Sequence, residues 1–392
     1  IEIFDDMKTN ISNINDFINK NTISSSTQYS KTYFGNFSNK YSFGFLDILI
    51  PDLINSIGRD SCYPRFNFIS NNITFHSPIN ILPKGNNSMD MEVRNGFIYL
   101  TADSNQISQP DLYILNAVDP DNINIVSSIN TGPGLGGIEI ASHYIYALNL
   151  GTTYSMAIID ISDRSYPSII KKYKIPVPNA STTLPIPSSI FYRNNIIYIG
   201  TEKWSGNEFN IIDVTDKNNP IYLGGFETNS LVEDIYINGD YAYIGTPGQK
   251  QFRVLNITDP KDIYEVSSFS YSGFATQEGK VVSLFEDNFI FGRTVGGFNV
   301  LQNHEIFSYS SSSFPLINNQ AIPKASSDIP GGVYGIIYRY PFIYLSTGQI
   351  GQEFQVWDED LKNKIFSKDI GSFPRNIICD NKDLYITTHD NR

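Results

Sequence analysis

The chain has 392 residues, 41% of them hydrophobic and 14% aromatic but only 17% charged, and its net charge is −12. That is enough apolar material for a globular core, and the acidic balance disfavours nucleic acid and anionic lipid surfaces as partners. No window approaches the roughly 18 apolar residues of a membrane span, so any membrane attachment is expected only through a segment upstream of Ile1.

Residues 1–20 carry Phe4, Met7, Ile11, Ile14 and Ile18 at alternating spacings of three and four. That stripe predicts a short amphipathic helix. It either packs on its own domain or continues upstream as an assembly helix. Because Ile1 is not a methionine, removal of an upstream segment such as an export signal is expected. Residues 21–60 are rich in Ser, Thr, Asn and aromatics and show little periodicity. Residues 1–60 are therefore read as an arm for attachment or assembly, and residues 61–392 as the main domain.

From residue 62 onward a period-two strand pattern takes over. One phrase, an aromatic-ended apolar strand, recurs: Phe97–Leu100, Tyr144–Ala147, Ile196–Ile199, Tyr241–Ile244, Phe289–Gly292, Phe342–Leu345 and Leu384–Thr387. The aromatics at 99, 146, 198, 243, 291, 344 and 385 are 41–53 residues apart, the period of four-stranded propeller blades. After each of the first six phrases comes an aliphatic strand, closed by Asp or Asn in all but the fifth: Leu112–Leu115 with Asn116, Met156–Asp160, Phe209–Asp213, Phe252–Asn256, a weak copy at Phe298–Leu301 that lacks it, and Phe354–Asp358. A turn such as Asp119-Pro120 or Asp259-Pro260 follows, and then a further strand. The terminal Asp or Asn is expected to accept hydrogen bonds from nearby backbone N–H groups, which gives Asp160, Asp213 and Asp358 structural roles.

This strand-and-turn phrase resembles the LVIVD repeat family over about residues 88–392. The resemblance implies a β-propeller of prokaryotic surface or extracellular proteins and brings no catalytic residues with it. The expected fold is all-β, a seven-bladed propeller. Its last blade would combine Asn376–Cys379 and Leu384–Thr387 with N-terminal strands at Arg65–Ile69 and Asn72–Phe75. Such closure removes an exposed sheet edge. It would also place Cys62 in the blade that carries Cys379, and a disulfide between them is expected in an oxidising compartment.

Signals for chemistry are sparse. His76, His143, His304 and His389 form no metal-like spacing, and no GxSxG occurs. The run Gly132–Gly137 precedes a strand, so it reads as an inter-blade loop rather than a phosphate loop. Asp119–Asn122 departs from the EF-hand calcium pattern. No catalytic residue, metal or cofactor is expected. Sequons stand at Asn10, Asn36, Asn72, Asn86, Asn179 and Asn256, but abundant Asn, Ser and Thr produce such sequons by chance. Each is a candidate acceptor if the chain is exported.

The leading expectation is a non-enzymatic extracellular or cell-surface protein that self-associates or joins other surface proteins, a pilus-like filament subunit being the sharpest form. An adhesin or lectin-like module gripping a glycan or a protein, with Trp204 as a stacking surface, is the alternative. A glycan-active hydrolase or lyase comes third.

Overall fold

The computed structural model describes residues 61–62, 75–76, 78–83, 86–103, 108–177, 184–248, 250–269, 279–285, 288–294, 304–310, 323–339, 341–381 and 383–389. They belong to a compact unit spanning Gly58–Arg392. Every regular element among them is a β-strand.

β1 is the short Ser61–Cys62. The first blade is β2–β5 (Asn87–Arg94, Phe97–Asp103, Leu112–Asn116, Asn124–Ile129), and the second is β6–β9 (Leu135–Ala141, Tyr144–Asn149, Met156–Asp160, Ser168–Tyr173). The third is β10–β13 (Pro187–Arg193, Ile196–Thr201, Phe209–Asp213, Ile221–Phe226), and the fourth is β14–β17 (Asp234–Asn238, Tyr241–Gly245, Phe252–Asn256, Tyr264–Phe269). The fifth is β18–β21 (Gly279–Phe285, Asn288–Arg293, Ile306–Ser310, Ala325–Ser327), and the sixth is β22–β25 (Val333–Arg339, Phe342–Thr347, Phe354–Asp358, Lys364–Lys368). The chain then forms β26 (Pro374–Asn381) and β27 (Asp383–Thr388). Within each blade the four strands pair in chain order, all antiparallel.

Six complete four-stranded blades make this a six-bladed β-propeller, not the seven-bladed one expected. Between the sixth blade and the first lies a three-stranded sheet in the order β1-β26-β27. Its N-terminal contribution is the two-residue β1, parallel to β26 with Cys62 opposite Asn381, rather than two outer strands. Residues Arg65–Ile69 and Asn72–Thr74 lie outside the described residues. Phe75 is described and is not in a strand; its ring stacks on Phe366 at 5.9 Å and meets Phe354 edge-on at 6.3 Å, both in the sixth blade. Period-two alternation marked a strand-like stretch there, but alternation does not specify the partner edge. The helical arm is likewise not supported: Phe4, Met7, Ile11, Ile14 and Ile18 lie outside the described residues. The fifth blade also departs from expectation, since its third strand is Ile306–Ser310 and not Phe298–Leu301.

The first six aromatic phrases are the second strands of their blades, and the seventh lies in β27, at the edge of the three-stranded sheet. The period-two pleat sends their side chains alternately into the two seams beside each blade. Seam clusters follow, for example Leu112, Ile114, Ile138 and Ile145 between the first two blades. The seam between the fourth and fifth blades is aromatic, with Phe252 4.8 Å from Phe289 and 5.3 Å from Phe291.

The turns use the residues their backbone requires. Asn95 and Gly96 have φ of 54° and 73°, the paired left-handed conformation of a tight hairpin. Strand-end side chains close the next turn as the sequence implied. Asn116, Asp160, Asp213 and Asn256 each accept a hydrogen bond from the backbone N–H two residues on, at 3.1, 2.8, 2.7 and 3.0 Å. A second such turn follows at Asp119, Asp163, Asp216 and Asp259.

Candidate functional site

In a blade of antiparallel strands, the turns joining strands one to two and three to four share one face of the ring. The loops joining two to three, and each blade to the next, share the other. That second face carries a repeated polar device. The residue immediately before the third strand is Asp111, Ser155, Glu208, Gln251, Glu305 or Glu353, and all six are buried.

Five of them accept from the backbone as the chain leaves the outer strand. Asp111 accepts Thr131 N–H at 2.8 Å and Gly132 N–H at 3.1 Å. Ser155 accepts Ile175 N–H at 3.1 Å. Glu208 accepts Thr228 and Asn229 N–H at 2.8 and 3.0 Å. Glu305 accepts Ile329 N–H at 2.7 Å, and Glu353 accepts Ile370 N–H at 3.2 Å. A buried carboxylate is costly unless such donors satisfy it. In the fourth blade, Gln251 instead accepts from Arg293 Nη1 at 3.1 Å.

Among the described residues, the buried arginines lie in the fourth and fifth blades. Arg293 is completely buried; its Nε donates to the His304 carbonyl at 2.7 Å, and its guanidinium lies 5.3 Å from the Phe307 ring centre. Arg253 is also buried, 3.5 Å from Glu265, which Lys250 reaches at 2.6 Å. Among the described residues, Arg253 Nε and Glu208 Oε1 have no hydrogen-bond partner.

The fifth blade gathers the most reactive set. His304 Nδ1 lies 2.6 Å from Ser326 Oγ across the end of the β20–β21 pair. Next to it, Glu305 faces Asp328 within hydrogen-bonding reach. Burial pushes the Glu305 carboxyl up to about 8; the Ile329 N–H opposes this, Asp328 adds to it, and Arg293 opposes it again. Burial also raises Asp111, against the hydrogen bonds from Thr131. Sequence reasoning missed the whole device because its residue type varies. The available signal was position: a polar residue directly preceding each aliphatic third strand.

The residues singled out from sequence are scattered. Trp204 is half-buried in the loop before the third strand of the third blade, its Nε1 donating to its own loop at Asn207 O, 2.9 Å away. Asn86 is buried at 1% exposure, and its sequon hydroxyl, Ser88 Oγ, donates to Thr388 O at 2.7 Å. Asn256 is half-buried and closes a turn with Thr258. Asn10, Asn36, Asn72 and Asn179 lie outside the described residues. Cys379 is buried and is not a free thiol. The histidines stay apart: His76 meets Asp121 at 2.7 Å and His143 meets Ser142 at 3.0 Å. Among the described residues no three His, Cys, Asp or Glu side chains group to hold a metal ion, and no helix is long and apolar enough to cross a membrane.

A family model described as LVIVD repeat matches residues 152–175 and 231–270, within the second blade and across the fourth, with adjoining loops. No curated protein matches the chain. Among solved structures, a periplasmic gluconolactonase of Pseudomonas aeruginosa is similar at 9% identity and a TM-score of 0.55, over 75% of this chain and 85% of that one. The Swd1 β-propeller domain of Myceliophteria thermophila follows at 9% identity and 0.54, over 77% and 93%. The computationally designed Ika8 protein reaches 0.53 at 8% identity, over 81% and 98%. At these identities the likeness shows the fold alone.

Proposed function

We propose that this LVIVD-repeat propeller is a non-enzymatic structural protein of an outer cell surface, its ring a rigid module for assembly or display. One observation carries the reading. The buried acids Asp111, Glu208 and Glu353 are committed to backbone N–H groups at equivalent positions, so these buried charges serve the fold. Low overall charge and the LVIVD repeats support an extracellular setting. Such a setting also suits a disulfide between Cys379 and Cys62, the chain's only other cysteine. The partners would be further copies of the chain or other surface proteins. Light scattering of the full chain over a range of concentrations tests this: growth into polymers is expected, and a monomer at every concentration, with no surface partner recovered by cross-linking on intact cells, rejects it.

A glycan-active hydrolase is the second reading. The acid pair Glu305–Asp328 beside His304 and Ser326 favours it, because a buried carboxyl that holds its proton can act as a general acid. Release of reducing sugar from a glycan panel, lost in Glu305→Gln and in Asp328→Asn, would support this reading over the first.

A further inference from the structure

We propose that the connection from the fifth blade to the sixth is a proton-operated clasp, in which protonated Glu305 is hydrogen-bonded to Asp328 and loss of its proton loosens residues 328–332. The geometry is specific to this seam. Glu305 stands just before β20 and Asp328 just after β21, and Glu305 N–H donates to Ser327 O at 3.0 Å, so the hairpin end itself forces the two acids together. One Glu305 oxygen accepts from Ile329 N–H, and the carboxyl is also within hydrogen-bonding reach of the exposed Asp328. Ile329 is fully buried, in the cluster that joins the fifth and sixth blades.

The segment beyond it has no slack. Gly331 and Gly332 have φ of 90° and 81°, and a Cβ at Gly331 would overlap the Gly348 carbonyl. Gly348 N–H in turn donates to Gly332 O at 3.1 Å. Movement of the clasp would therefore be felt in the second-to-third-strand loop of the sixth blade, on the ring face that carries the inter-blade loops.

Two charged or titratable neighbours, Arg293 and His304, face the pair. Arg293, from β19, draws Glu305 toward its ionised form, and Asp328 draws it the other way. His304 precedes Glu305 and is held by Ser326. Burial outweighs Arg293, which keeps the proton on Glu305 at neutral pH. The equivalent acids Glu208 and Glu353 accept the same kind of backbone bond and serve as internal controls.

The sign is fixed by this. An acid whose folded value is raised binds its proton more tightly in the folded state, so the stabilisation is full at low pH and is lost as pH rises toward about 8. Glutamine at 305 mimics the protonated acid, since its oxygen still accepts from Ile329 and its NH2 still donates to Asp328.

Amide hydrogen exchange of residues 328–333, corrected for the intrinsic effect of pH, tests the clasp in the full chain. Between pH 6 and pH 9 the protection of this segment should fall about a hundredfold, since the loss runs at about tenfold per unit from pH 6 to the Glu305 value of about 8 and flattens above it. In Glu305→Gln it should stay flat, while residues 228–229 beside Glu208 stay flat in both proteins. Asp328→Asn, which keeps Glu305 but removes its acidic neighbour, should move the transition to lower pH. Equal protection at both pH values in the wild type, the same fall in Glu305→Gln, or an unmoved transition in Asp328→Asn would overturn the proposal.

Discussion

Asn376 and Asp90 are 286 residues apart in sequence, yet Asn376 Nδ2 donates to Asp90 Oδ1 at 2.6 Å. The same carboxylate also accepts from Met91 N–H at 2.9 Å and, through Oδ2, from Ile138 N–H at 3.1 Å. One side chain thus ties the three-stranded sheet to the first blade and the first blade to the second. Two further bonds close the same joint. Ser88 Oγ donates to Thr388 O at 2.7 Å, and Gly96 N–H donates to Asp380 at 2.9 Å.

Removing this tie should destabilise the ring. Asn376→Ala deletes the hydrogen bond to the Asp90 carboxylate and the one its Oδ1 accepts from Ile377 N–H, and should cost about 1.5–3 kcal/mol. Asp90→Ala removes three and should cost more. Urea unfolding of each variant, read as a midpoint shift at constant slope, measures both. Equal losses in the two variants would contradict the shared role of Asp90.

The buried acids should matter more than the exposed ones. Glu208→Ala leaves the backbone donors of Thr228 and Asn229 unsatisfied in the interior, a loss of about 3 kcal/mol. Asp216→Ala, at an exposed turn, should cost well under that. Thermal melts of the two proteins side by side decide the order.

Acid should weaken the turns. Hydrogen bonds from Ser162 hold Asp160 below its ordinary value of 3.8, and those from Asn219 and Asn218 do the same for Asp216. An acid lowered in the folded state stabilises above its unfolded value, and that contribution is lost as pH falls through the folded one. Stability should therefore fall below about pH 4, with a shallower slope in Asp160→Asn. Denaturant midpoints between pH 2.5 and pH 6 check this.

The proposed Cys62–Cys379 bridge would clamp β1 to β26. In the chain-entropy model a loop of this size contributes on the order of 5 kcal/mol. Peptide mapping without reductant should recover the two cysteine peptides joined, and reduction should lower the melting temperature. Full alkylation of both thiols in the unreduced protein would remove the bridge from the account.

Much of the fold was legible because local chemistry repeats. Tyr99, Tyr146, Tyr198 and Tyr243 each mark a second strand, and the Asp or Asn ending each of the first four third strands marks its turn, since both effects act within a few residues. Blade number was not legible, because the pairing of β1 with β26 joins segments more than three hundred residues apart and alternation alone does not choose an edge. The buried acceptors were hidden for a different reason: Asp, Ser, Gln and Glu all fill one position, and only their burial identifies them.

The most direct test of the closed ring is residue-resolved hydrogen exchange in Asp90→Ala. Loss of this carboxylate should lower protection together at Ile377 on β26, Met91 on β2 and Ile138 on β6, while Ile211 and Val254, in the third and fourth blades, keep theirs. Loss at Met91 alone, with Ile377 and Ile138 unchanged, would show that Asp90 joins nothing beyond its own blade.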